Sequence, residues 1–171
     1  MENKMPKQTP TNNEVTFPED NIIVSKTDTK GRITYCNELF IQMSGYFEEE
    51  LLDQPHNILR HPDMPRAIFK LLWETIQSKE EINAYVKNLC KDGSYYWVFA
   101  NVTPSFDEKD NIIGYFSVRR KPKQASLNII KDLYTKLLQI EKSSGMEASM
   151  KYLQELLKEK GVSYEEFIIS I

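Results

Sequence analysis

The residues best equipped for chemistry cluster in the run Arg60-His61-Pro62-Asp63 and at two separated amides, Asn37 and Asn88. The planar fork of Arg60 makes charge-assisted, bidentate bonds to an anion, whereas pairing with Asp63 in a surface loop would contribute little. Asp63 stands two residues before Pro65, so capping a helix that starts there is its structural alternative. Asn88 falls on one face of an alternating run with Ile82, Ala84 and Val86. A buried amide left without a partner costs about 1–3 kcal/mol, so Asn88 must find backbone, a buried water or a ligand. Asn37 precedes a helically spaced segment and is a candidate N-cap. Cys36 and Cys90 form no Cys-x-x-Cys and no metal-ligand spacing, and they read as ordinary strand residues of a reducing compartment. There is no Gly-rich phosphate loop, HExxH, GxSxG or plausible carboxylate pair, so an enzyme is not expected.

The elements that must position these side chains follow from periodicity. Residues 21–26 and 32–36 have the character of two strands around the turn Thr27–Gly31. From Asn37, the spacing Leu39, Phe40, Met43 is helical, and Gly45 suits a left-handed stop. After the acidic turn 48–51, Pro55, Pro62 and Pro65 predict loop with at most single helical turns. A longer helix is predicted from Pro65 to about Ser78, with Ile68, Phe69, Leu72, Trp73 and Ile76 on one stripe. Phe69 and Trp73 are core residues by spacing, and a core that lines a pocket serves both roles. Alternation then predicts strands over 82–91, 95–102 and 112–120, the first two joined at Asp92-Gly93. Ile129, Leu133, Leu137 and Ile140 make an apolar helical stripe, followed after Ser143-Ser144-Gly145 by a second helix to Lys160. A third starts at the capping box Ser163-x-x-Glu166.

The chain has 171 residues, 40% of them hydrophobic, and a net charge of −3 from 22 basic and 25 acidic side chains. That composition describes one folded domain plus an appendage, without the basic footprint that nucleic-acid binding needs. Residues 1–18 are expected to be a flexible lead-in, 19–122 the domain, and 123–171 a helical extension for dimerisation or partner docking. Residues 1–14 lack the apolar core of a secretory signal, and no run approaches 18 apolar residues. The expectation is therefore a cytoplasmic protein, with any membrane segment on another chain and no direct membrane insertion.

Four motifs resemble the PAS superfamily, and within it the sensory domain of bacterial aerotaxis receptors. They are Ser44-Gly45-Tyr46; Gln54-Pro55-His56-Asn57; Arg60-His61-Pro62-Asp63-Met64-Pro65; and Val86-Lys87-Asn88 followed by Lys91-Asp92-Gly93 and Tyr96-Trp97-Val98. The resemblance covers roughly residues 20–122 and implies an α+β fold, a five-stranded antiparallel sheet with helices on one side, followed here by the helical extension. It further implies non-covalently held FAD, with Asn37, Arg60, His61, Asp63, Phe69 and Asn88 as the positions involved. One position departs from the family: a tryptophan six residues before the asparagine is replaced by Ile82. For His61, flavin contact, a haem axial role and a structural hydrogen bond stay open.

The resemblance implies a redox or energy-taxis sensor, similar to the soluble half of a bipartite receptor. It would be recruited to the inner face of the membrane by a separate methyl-accepting chemoreceptor-like protein, as a homodimer. The alternatives are a haem- or small-metabolite-binding PAS sensor and a cofactor-free interaction module.

Overall fold

Alternating apolar residues at the start of the domain must share one buried face, and they do so on a sheet. The computed structural model describes residues 8–171; the first seven residues of the expected lead-in lie outside that range. Strands β1 (Ile23–Thr27) and β2 (Ile33–Cys36) form the opening hairpin. Helices α1 (Glu38–Ser44), α2 (Glu48–Leu51) and α3 (Arg66–Gln77) follow, with a single 3-10 turn at His56–Leu59. Strands β3 (Ile82–Leu89), β4 (Tyr95–Phe106) and β5 (Ile112–Arg120) complete one antiparallel sheet of order β2-β1-β5-β4-β3. Helices α4 (Gln124–Ser144), α5 (Met146–Lys160) and α6 (Tyr164–Ser170) form the extension.

Register defines the inner face. Ile23, Ser25 and Thr27 of β1 stand opposite Arg119, Ser117 and Tyr115 of β5, which in turn meet Ala100, Val102 and Pro104 of β4. Ala84, Val86 and Asn88 of β3 continue the same row opposite Ala100, Val98 and Tyr96. Helices α1 and α3 close over this face, anchored by the buried side chains Phe40, Ala67, Ile68 and Ile76.

Several local expectations change. Strand β4 runs past Val102 to Phe106 and through Pro104. The pairing with β3 ends at Val102, so Pro104 has a neighbouring strand only on the β5 side and its missing N–H breaks no second ladder. The β3–β4 connection is longer than two residues: Cys90 N–H donates to Ser94 O at 2.8 Å and Gly93 N–H to Cys90 O at 3.0 Å. Residues 11–15, expected to be free, are bonded to the start of β4. Thr11 N–H reaches Gly93 O, and Val15 N–H and Asn13 O bracket Tyr95, all within 2.9 Å.

The extension covers its own domain. The buried stripe of α4 is Leu127, Ile130, Leu133, Tyr134 and Leu137, whereas Ile129 faces solvent. Most of the tail's apolar residues are thus covered within one chain, with Ile129 and Ile169 left exposed. β3 is an edge strand, and an open edge invites pairing with other chains. Here the tail and the loop before α3 occupy it: the Tyr134 hydroxyl donates to Tyr85 O at 2.7 Å, Asn83 N–H donates to Glu165, and Lys87 N–H contacts Met64 Sδ.

Candidate functional site

Between α3 and the inner face lies a cavity of about 170 Å³. Its apolar wall comes from the α3 stripe, Phe69, Leu72, Trp73 and Ile76, and from Val86, Ala100, Val102 and Tyr115 of the sheet. Trp73 packs edge-on against Tyr115, with ring centroids 5.5 Å apart, and lies over Gly31 at the rim.

Polar residues of the same sheet face and of the loop before α3 complete the lining. Asn88 is buried, and its Nδ2 has no hydrogen-bond partner; the same holds for Ser117 Oγ and Arg60 Nε. All three residues line the hollow, and each carries an unmet bonding capacity of the kind that native interiors rarely tolerate. The Arg60 guanidinium stacks on Phe69, 3.8 Å from the ring centroid. Arg119 donates from Nη1 to Ser25 Oγ at 2.9 Å and from Nη2 to His56 Nε2 at 2.8 Å. Burial first, and then the adjacent Arg119 charge, pull the His56 pKa down to about 3. Solvent reaches part of the residue, which moderates the effect, but Nε2 must be unprotonated to accept from Arg119. Burial lowers the Arg119 pKa to about 10. The Tyr96 hydroxyl is buried, and burial raises its pKa against the lowering pull of the nearby Arg119 charge and of its contact with the Asn88 amide, with which it forms no well-aligned hydrogen bond.

The six positions implied by the resemblance divide into two groups. Arg60, Phe69 and Asn88 line the cavity together, and an antiparallel bridge between Arg60 and Asn88 holds the loop against β3. Asn37, His61 and Asp63 do not line it. Asn37 caps α1: its Oδ1 accepts from Phe40 N–H at 3.1 Å and Val24 N–H at 3.0 Å, and its Nδ2 donates to Ile22 O. His61 is buried with its ring edge on Tyr95; its Nδ1 accepts from Asp63 N–H, and burial lowers its pKa. Asp63 neither caps α3 nor pairs with Arg60 but binds Lys87 Nζ at 2.7 Å. Ser25, His56, Ser117 and Arg119 are cavity residues that are not among the six implied positions. A signal existed for two of them: His56 lies inside the Gln54–Asn57 motif, and Arg119 shares the period-two face of Tyr115 and Ser117.

Both thiols are buried, and burial raises their pKa values, that of Cys90 to about 11. Among the described residues no group of three or more His, Cys, Asp or Glu side chains is placed to hold a metal ion.

The donor set fits a flat heteroaromatic ring: apolar faces on two sides and Asn88, Ser117 and Arg60 for its polar edge. The volume admits about one ring, since an apolar cavity near 150 Å³ takes benzene and sites for larger ligands span about 300–1,000 Å³. A tricyclic flavin enters only if the α3 wall moves outward.

Comparison with known proteins agrees with this architecture. The chain is 41% identical over 119 residues to the aerotaxis receptor of Escherichia coli (strain K12), a match covering 70% of this chain and 23% of that one. It is 28% identical over 99 residues to the nitrogen fixation regulatory protein of Klebsiella pneumoniae, covering 58% and 20%. The chain thus spans under a quarter of the length of either relative. The light-state structure of the blue-light photoreceptor Aureochrome1 LOV superposes with a TM-score of 0.55 at 23% identity, covering 71% of this chain and 93% of that one. Among the described residues no helix is long and apolar enough to cross a membrane. A family model described as the PAS fold matches residues 33–119, just over half of the chain, and with the sheet order and the hollow under α3 this identifies the chain as a member of the PAS fold family.

Proposed function

We propose that the chain is a cytoplasmic, non-catalytic PAS sensor of redox or energy taxis that holds a flavin, FAD, in the cavity described above. The observation that carries this reading is the set of unpaired polar atoms, Asn88 Nδ2, Ser117 Oγ and Arg60 Nε, on residues that line the hollow beneath the apolar α3 stripe. A flavin supplies redox chemistry through its ring system when bound; the chain supplies apolar faces, donors and exclusion of water. The likeness to an aerotaxis receptor supports the sensory role.

The relay runs through α3. The helix that walls the cavity is tied at its first turn to α4 and touches α5, where Lys70 pairs with Glu147, so displacement of Phe69 or Trp73 by a ligand is felt in the tail. We assign the receiving partner to a membrane-bound, methyl-accepting chemoreceptor-like protein that recruits the chain to the inner face of the membrane, with the chain acting as a homodimer.

A second reading, a single-ring metabolite in the same cavity, is favoured by the volume. Haem is disfavoured, because His61 lies off the cavity and His56 Nε2 is engaged by Arg119. The decisive measurement is the visible spectrum of the purified chain before and after dithionite. Broad blue and near-ultraviolet bands that bleach are expected; a sharp Soret band, or a protein that stays colourless after incubation with FAD, sinks the flavin assignment. Deletion of the gene should impair migration toward favourable electron acceptors without loss of motility, and normal taxis in the deletion strain counts against the role.

A further inference from the structure

The cavity wall has an unbalanced charge. Lys30, Arg60 and Arg119 line it and no aspartate or glutamate does, although acidic residues outnumber basic ones in the chain as a whole. Lys30 lies at the exposed rim and Arg60 is spread over Phe69, but Arg119 is 5% exposed and deep. Its two hydrogen-bond partners, the Ser25 hydroxyl and the His56 imidazole, are neutral. Among the described residues no carboxylate lies within ion-pair distance of it.

Buried charges are ordinarily paired, because desolvation is costly and is offset only by a counter-charge with good geometry. The fold withholds that counter-charge and instead holds the guanidinium in place with two neutral acceptors. Those acceptors engage only Nη1 and Nη2 of a group with five N–H donors in a fork that matches carboxylate and phosphate oxygens. Around it also lie the hollow, the buried Tyr96 hydroxyl and the face of Phe40, whose ring centroid is 5.7 Å from the guanidinium carbon.

We propose that the polar end of the cavity is an anion seat, in which Arg119, positioned by His56 and Ser25, receives a negatively charged group carried by a planar ligand. This rests on the reading of the cavity as the sensor's ligand site and adds the ligand's charge to it. The shared chemistry is an oxyanion attached to an aromatic body. It has two sources: the phosphate of a flavin nucleotide, or the carboxylate of a single-ring aromatic acid that fits the present volume.

Two matched pairs separate the sources: FMN against riboflavin, and benzoate against benzamide, each titrated by calorimetry into the full chain stripped of any bound ligand. The charged member of one pair should bind roughly tenfold to hundredfold tighter than its neutral analogue, the range of a hydrogen bond to a charged group. In Arg119→Met that gap should close, while Arg60→Gln keeps most of it. A purely structural arginine is excluded by a second readout. Shedding the desolvation of an unpaired buried charge offsets the acceptors left unmet at Ser25 and His56, so the ligand-free Arg119→Met chain should melt close to the wild type, whereas a purely structural arginine predicts a large drop. A gap in the flavin pair assigns a phosphate, and a gap in the benzoate pair assigns a carboxylate. Equal binding of charged and neutral members, or a gap that persists in Arg119→Met, overturns the seat while leaving the cavity a ligand site. If no member of either pair binds, the seat falls, and the ligand-site reading falls with it only where FAD titrated alongside also fails to bind.

Discussion

The carboxylate of Glu141 on α4 caps the first turn of α3 across 74 residues of sequence: Oε1 accepts from Ala67 N–H at 2.8 Å and Oε2 from Arg66 N–H at 3.0 Å. Pro65 precedes the helix and offers no side-chain cap of its own. The first-turn N–H groups and the positive end of the helix dipole are therefore answered from the extension. The side chain of Glu141 is 7% exposed, so solvent screens this contact little.

Replacing Glu141 with Ala removes the cap, and a lost helix cap typically costs about 1 kcal/mol. Urea unfolding should show a loss of that order. Amide exchange should rise in the first turn of α3 and along α4, but not in β5. Unchanged exchange in α3 would mean that the tail does not restrain the cavity wall.

Asn88 is the amide whose loss separates binding from stability. In the ligand-free chain its Nδ2 is buried and unpaired, so Asn88→Leu removes a desolvation penalty of about 1–3 kcal/mol, partly offset by imperfect packing. The melting temperature should hold or rise while cofactor affinity falls. A large drop in stability would show that the amide serves the sheet.

Gly31 controls the mouth of the cavity. Its φ of +77° lies in the left-handed region, and a Cβ there would meet Trp73 at 3.0 Å. Gly31→Ala should therefore destabilise by about 1–2 kcal/mol and shift the near-ultraviolet signal of Trp73 as the indole turns. An unaltered tryptophan signal would mean that the indole yields without cost.

His56 and His61 both have pKa values held below the ordinary value of about 6.5, in each case chiefly by burial. As pH falls through about 6.5 the unfolded chain takes up protons that the folded chain refuses, so stability is full above that pH and declines below it. Urea midpoints should fall between pH 7 and pH 5, before the carboxylates begin to titrate. His56→Gln, which retains an acceptor for Arg119, should flatten part of that decline. A midpoint constant across this window contradicts the neutral, buried imidazoles.

Local signals announced most of the scaffold and less of the site. The alternation from Ile82 to Asn88, the Asn37 cap and the Gly45 stop are near-neighbour effects, and each appears where the pattern put it. Asp63 is a candidate cap of α3 from sequence because only local residues can be read as caps, whereas the partner found, Glu141, is linked to α3 by tertiary folding alone. Arg119 was unremarkable as a charge near the end of a strand. Its meaning depends on which face of β5 turns inward, and that is set by register against β1 and β4. On α4 the apolar residues admit two overlapping stripes. The domain surface selects the one containing Tyr134, whose hydroxyl has a carbonyl to meet on β3, and leaves Ile129 outside.

Truncation after residue 122 tests the tail as an edge cover. Without α4 and α6, the Tyr85 carbonyl loses the Tyr134 hydroxyl and Asn83 loses the Glu165 carboxylate, so the outer side of β3 presents unpaired groups. The outward face nearby, with Tyr85 and Trp97, loses the cover of Tyr134 as well. An open apolar edge strand pairs with its own kind. Light scattering should therefore find the truncated domain associating or precipitating at concentrations where the full chain does not. Tyr134→Phe, which removes one hydrogen bond and leaves a buried carbonyl unmet, should cost about 1–3 kcal/mol in the full chain without changing its assembly. A truncated domain that stays dispersed and melts as the full chain does would show that the extension is not what closes the edge, and would leave its helices free for another partner.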